Sequence, residues 1–251
     1  MNVVFLGTAG CGKSLLTHSF GEWIKSNLNL DVGYVNLDPG CEYTPYEPDF
    51  DIRSIFTISD LMMKEGLGPN GAMIRASQLM EERFQEIAKA IVSINAKSAY
   101  TLIDTPGQME IFVFRPTGPL VISRLRSLSR TVNVFIIDPT LAATAPELMV
   151  AMLLGVAVQL RLEASTVTVI NKSDLLKGSM IDLILTRPSH LKRLISEQEG
   201  VFTDLALSCA SIVRKLTKAS RVVKVSAKTG YGMNALYDLI HEALCVCGDL
   251  T

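Results

Sequence analysis

Residues 7–14 read GTAGCGKS, between the apolar run NVVFLG (2–7) and SLLTHSFGEWI (14–24), whose periodicity is helical. A strand, a loop satisfying G-x-x-x-x-G-K-[ST] and a helix form the arrangement in which backbone amides cradle phosphates. Gly10 and Gly12 let the chain curl, so that amides from Gly10, Cys11, Gly12, Lys13 and Ser14 converge on phosphate oxygens, with Leu15 next in line. The helix N-terminus adds positive potential. Lys13 supplies a mobile cation for the β and γ oxygens, and Ser14 a hydroxyl for Mg²⁺, a hard ion that takes oxygen ligands. Cys11 is expected to contribute its amide, not a nucleophilic thiol.

Working outward, near-continuous β-branched runs recur: DVGYVNLD (31–38), AYTLIDT (99–105), TVNVFIID (131–138), STVTVIN (165–171) and RVVKVSA (221–227). They alternate with helical segments, the pattern of a mostly parallel sheet covered on both faces. The fold expected is therefore a three-layer α/β P-loop NTPase with helical insertions. No Asn-Gly or Asp-Gly hairpin joins the second run to the third; the long intervening segment favours a crossover and parallel pairing. Within it, AMIRASQLMEERFQEIAKAIVSINA (72–96) places Met73, Met80, Phe84, Ile87, Ile91 and Ile94 at helical spacings and predicts one long amphipathic helix. A further mixed-charge helical insertion is expected around 178–220, on a single domain spanning 1–251, with the other insertion around 57–96.

The 251 residues carry a formal net charge of −1, so no global field draws the chain to nucleic acid or anionic lipid. The start lacks the features of a secretory signal. LMVAMLLGVAV (148–158) is too short to span a bilayer and reads as a buried helix. Five scattered cysteines, Cys11, Cys41, Cys209, Cys245 and Cys247, suggest no disulfide framework, and CVCG has no second pair of zinc ligands. A cytoplasmic protein, without membrane or direct nucleic-acid partners, is expected.

NKSD, at the end of STVTVIN, places Asn171, Lys172 and Asp174 where parallel strands form ligand crevices. The Asp174 carboxylate matches guanine N1–H and the 2-amino group, a donor pair that adenine lacks. Lys172 could lay its stem over the base and Asn171 bond its edge. SAK, Ser226–Ala227–Lys228, would bring the Ala227 amide to the guanine oxygen. In LIDTPGQ (102–108), Asp104 would hold a magnesium-bound water and Gly107 meet the γ-phosphate, making a switch. Two groups compete to orient the attacking water: Gln108, and Asp38 in NLDPG, the latter favoured by parallel pairing of its strand.

One stretch stands apart: GLGPNG (66–71), between two helical segments. Turn chemistry offers one account, with Asn70 capping a helix that begins near Ala72. However, Met73 stands where a capping box needs Glu or Gln.

GTAGCGKS, DTPGQ, NKSD and SAK in order, with Gly68–Pro69–Asn70 between the first two, make the whole chain resemble the GPN-loop GTPases, of the archaeal type with eukaryotic relatives. The C-terminal CGDLT is similar to archaeal members. The resemblance implies a Mg²⁺-dependent GTP hydrolase, a homodimer of the signal-recognition, MinD and BioD class, with the GPN loop of one subunit reaching the phosphate region of the other. It implies a hydrolytic centre of Lys13, Ser14, Asp38, Asp104 and Gln108, with Asn70 acting in trans. Many dimerising relatives in the wider class carry an early lysine in the phosphate loop, where this chain has Thr8. Eukaryotic relatives imply client proteins such as RNA polymerase subunits. The alternative function is a nucleotide-gated scaffold or assembly chaperone timed by slow hydrolysis; NKSD argues against a third, a P-loop kinase.

Overall fold

The computed structural model describes residues 1–142, 144–176 and 222–245. The expected insertion around 178–220, with Cys209 and Cys247, lies outside them. Among the described residues the sheet has seven strands, all pairing in parallel, in the order β3-β2-β4-β1-β5-β6-β7. Its strands are β1 (Asn2–Gly7), β2 (Val32–Asn36), β3 (Phe50–Asp51), β4 (Tyr100–Asp104), β5 (Thr131–Ile137), β6 (Thr166–Ile170) and β7 (Val223–Lys224). The short edge strand β3 has no counterpart among the sequence-predicted runs. Two residues after a proline-rich loop carry no periodicity, and only pairing with Val35 and Asn36 defines them.

Alternate side chains of the central strands feed two cores. On one face Val3, Phe5, Leu102 and Val134 meet α1 (Lys13–Leu28) through Leu16, Phe20 and Ile24, and α8 (Met233–Cys245) through Leu236 and Ile240. On the other, Val4, Leu6, Val35 and Ile103 share a core with α2 (Ile58–Glu65), α3 (Pro69–Glu82), α4 (Phe84–Asn95), α5 (Met109–Val113), α6 (Thr117–Leu128) and α7 (Ala145–Leu162). This is the expected three-layer arrangement. Helix α4 shows the physics: Phe84, Ile87, Ile91 and Ile94 line one buried face, each worth about 1.5–3 kcal/mol when fully buried.

Two helical expectations need correction. The predicted long helix is two helices, separated at Arg83, whose φ −94° and ψ 9° leave helical geometry. The apolar stripe runs on across the break, from Met80 to Phe84, so periodicity could not reveal it. Helix α7 is buried along one stripe, Leu148, Met149, Val158 and Leu162, while Val150 is 66% and Leu160 72% exposed. Apolar composition alone cannot tell a helix buried all round from one that packs a single face. Among the described residues no helix is long and apolar enough to cross a membrane.

The GLGPNG stretch resolves into two helix ends. Gly66, at φ 64°, closes α2 in the left-handed conformation that glycine adopts without penalty. Gly68 is the N-cap of α3 and Pro69 its first residue, where a missing N–H costs nothing. Asn70 therefore does not cap a helix starting near Ala72; it lies exposed within the first turn of a helix that starts earlier.

Candidate functional site

The carboxyl ends of the strands bring the sequence-predicted residues to one edge of the sheet. β1 ends at Gly7, and the loop enters α1 through Gly12, whose φ of 88° puts it in the left-handed region. A Cβ there would also lie 2.6 Å from Asn171 Nδ2, so both backbone and space demand glycine. Lys13 is buried, and its Nζ donates to the carbonyls of Gly7 (2.9 Å) and Thr8 (3.1 Å). The Cys11 amide donates to Thr8 O, and burial pushes its thiol above the usual range, which agrees with a structural rather than a nucleophilic side chain. Leu15 is exposed on the first turn of α1.

Asp104 closes β4 and is 1% exposed. Its Oδ2 accepts a hydrogen bond from the Tyr46 hydroxyl at 3.1 Å, while Oδ1 is buried with no hydrogen-bond partner among the described residues. Burial pushes the carboxyl up to about 6, although Ser14, Lys13 and Tyr46 all favour its charged form. Tyr46 is itself pushed far above the phenol range by burial and by this carboxylate, so it stays a donor. Thr105, next in the chain, ties the segment to β1 by donating from Oγ1 to Phe5 O at 2.7 Å.

The two candidates for orienting water stand on neighbouring loops. Asp38 follows β2; its Oδ1 accepts from the Gly40 amide and its Oδ2 from the Gly107 amide, each at 2.9 Å. Burial raises its carboxyl, with these amides pulling the other way. The amide expected to meet a γ-phosphate is thus held by Asp38. Gln108 is exposed and, with Asp38, Gly107, Met73 and Met80, lines a cleft of about 290 Å³ between α3 and the segment after β4. Gly68, Pro69 and Asn70 are exposed one helical turn before Met73. Arg53 braces the loop after Asp38: it pairs with Asp51 and donates to the Cys41 and Glu42 carbonyls at 3.1 Å.

The NKSD and SAK loops meet beside the phosphate loop. Asn171 is 1% exposed and its amide is committed at both ends: Nδ2 donates to Cys11 O (2.9 Å), and Oδ1 accepts from the Ala227 amide (3.1 Å). Instead of turning to a base edge, Asn171 staples the phosphate loop to the SAK loop, and the Ala227 amide is taken by this staple. Ser19 Oγ adds a bond to Ala227 O from α1. Lys172, at φ 53°, pairs through Nζ with Asp138 Oδ2 at 2.7 Å. Asp174 accepts from the Ser226 hydroxyl at 2.6 Å, which holds its carboxyl below the usual range and therefore charged. Lys228 is exposed beside them.

Asp138, Tyr46 and Arg53 were not among the sequence candidates. Asp138 had a signal, an acid at the carboxyl end of FIID. Tyr46 and Arg53 had none, because long-range pairing alone gives them partners.

Among the described residues no cluster of three or more His, Cys, Asp or Glu side chains is placed to hold a metal ion.

Comparison with known proteins bears on the same site. Residues 5–246 match the family model described as a conserved hypothetical ATP binding protein. The GPN-loop GTPase PAB0955 of Pyrococcus abyssi is 35% identical, with all of both chains covered. Its crystal structure, described as a GTPase in apo form, aligns with a TM-score of 0.86 at 33% identity over 98% of each chain. GPN-loop GTPase 1 of Saccharomyces cerevisiae is 25% identical over 96% of this chain, which spans 65% of that protein. The family description names ATP, whereas the relatives are named GTPases. With this pocket at the end of its sheet and a match running from one end to the other, the chain belongs to the GPN-loop GTPases and is a GTPase.

Proposed function

We propose that this GTPase is a magnesium-dependent molecular switch working as a homodimer, in which Asp38 is the group that activates water. The observation that carries this reading is the bond from the Gly107 amide to Asp38 Oδ2. A γ-phosphate oxygen seeking that amide must displace Asp38. The displaced carboxylate loses a donor that favours its charged form, so its affinity for a proton rises. It is then a better acceptor for a proton of water than before. One contact thereby couples nucleotide state, switch position and base strength. Lys13 must likewise leave the Gly7 and Thr8 carbonyls to reach phosphate oxygens.

Asp104 and Ser14 would hold the magnesium, Asp104 through water. The buried Oδ1 without a partner fits an acceptor awaiting such a donor. The ion would neutralise charge between the β- and γ-phosphates. Asp174 would select guanine, and Asn70 of one subunit would complete the partner's site; Gly68, Pro69 and Asn70 are exposed enough to be reached. The proposed role extends to assembly of protein complexes such as RNA polymerase, the clients that the sequence resemblance implies.

Single-turnover hydrolysis tests the assignment. Asp38→Ala should slow the chemical step about 100-fold or more, as loss of a general base does, and Gln108→Ala should slow it less. A larger loss in Gln108→Ala would transfer the role to Gln108. Should client binding be indifferent to GTP analogue, GDP and empty site, the switch reading fails.

A further inference from the structure

We propose that Tyr46 is a positioning residue for Asp104: its hydroxyl selects which carboxylate oxygen is left for the magnesium-bound water. This inference rests on the magnesium reading above. An aspartate χ2 torsion is broad and nearly two-fold, so the two oxygens of an isolated carboxylate are interchangeable. In this site they are not. Oδ2 accepts from the Tyr46 hydroxyl, and Oδ1 is buried with no hydrogen-bond partner in good geometry among the described residues, the Ser14 hydroxyl being the other donor close to the carboxylate. A donor on one oxygen of a ligand that has to orient a hydrated metal fixes its rotamer before the metal arrives.

Tyr46 can do this because it is held on several sides. Its ring is buried and stacked on Tyr34, with centroids 5.0 Å apart and planes 19° from parallel. Tyr34 lies on β2, and its hydroxyl donates to Glu22 Oε1 on α1 at 3.1 Å. Lys25 Nζ lies 4.7 Å from the centre of the Tyr34 ring. Thr44 donates to Tyr46 O at 2.9 Å, and further along the loop the Asp49 carboxylate accepts from the Tyr34 amide at 2.8 Å. The tyrosine pair thus buttresses the end of β4 from the face of α1, and the Tyr46 hydroxyl donates to Asp104.

The test is Tyr46→Phe, which deletes one oxygen and keeps the stack. Affinity for a fluorescent GDP analogue is measured by titration in EDTA and across a Mg²⁺ series. The variant is expected to bind as the parent does in EDTA, while its half-saturating Mg²⁺ concentration rises about tenfold, the low end of losses for partners of metal ligands. In an Asp104→Asn background, the same tyrosine substitution should change nothing further. Tyr34→Phe, which keeps the stack, should leave the Mg²⁺ series unchanged. The inference is overturned if Tyr46→Phe follows the parental Mg²⁺ curve, loses affinity equally with and without the ion, unfolds, or has the same effect in the Asp104→Asn background. If the parent itself shows no Mg²⁺ dependence, the magnesium reading falls first and this one with it.

Discussion

Replacing Asn171 by alanine separates a staple from a base contact. Two hydrogen bonds vanish, to Cys11 O at 2.9 Å and from the Ala227 amide at 3.1 Å, in a residue 1% exposed. Each of the two partners left buried and unpaired costs about 1–3 kcal/mol, so the loss should be about 2–6 kcal/mol, toward the lower figure if water enters. For a chain this long that corresponds to a fall in melting temperature on the order of 4–24 °C. The assay is thermal and urea denaturation of the nucleotide-free protein. Asn171→Asp is the control: it keeps an acceptor for the Ala227 amide but sets a carboxylate oxygen against Cys11 O, and should be no more stable than the alanine variant. A side chain that only met the base would leave nucleotide-free stability intact. An alanine variant within about 0.5 kcal/mol of the parent, the scale of an ordinary surface substitution, would refute the staple.

Other consequences are equally direct. Asp174→Asn should weaken GTP about 10–100-fold by removing a charge-assisted acceptor and improve xanthosine triphosphate, whose 2-oxo group suits an amide; unchanged preference in competition binding would sink the guanine assignment. Lys13→Ala and Asn70→Ala, each poorly active alone, should recover about a quarter of parental hydrolysis when mixed equally as exchanging dimers, since half the dimers would carry one intact composite site; no recovery with exchange verified counts against action in trans. At Asp51, burial pushes the carboxyl up, but bonds from Arg53 and Asn36 outweigh it and leave the folded value below the ordinary 3.8. That interaction supports stability above the unfolded value and is lost as pH falls through the folded one. The stability gap between the parent and Arg53→Gln should therefore be flat from neutral pH to about 5 and narrow below that; denaturation curves showing a constant gap down to strong acid would exclude it.

The fold was largely legible because its signals are local. Strands of a parallel sheet buried on both faces are near-continuously apolar, as NVVFLG and TVNVFII are apart from Asn2, Thr131 and Asn133, and GTAGCGKS needs its glycines wherever backbone amides converge. What failed shares a cause. The break at Arg83 is hidden by an apolar stripe that crosses it, β3 exists only through β2, and the α7 residues left outside depend on neighbours that periodicity cannot see.

The site divides along the same line. The sequence by itself determined the chemical types: a phosphate loop, an acid at Asp104, an acid at Asp174 and two rivals for the water, because these motifs are short and their order is kept along the chain. Only the tertiary structure decided what each group is bonded to. Asn171 reaches Cys11 across 160 positions, Tyr46 reaches Asp104 across 58, and Gly107 reaches Asp38 across 69. A hydrogen bond is a condition on distance and angle in space. When its ends are that far apart in the chain, the folded sheet alone brings them within 3.1 Å.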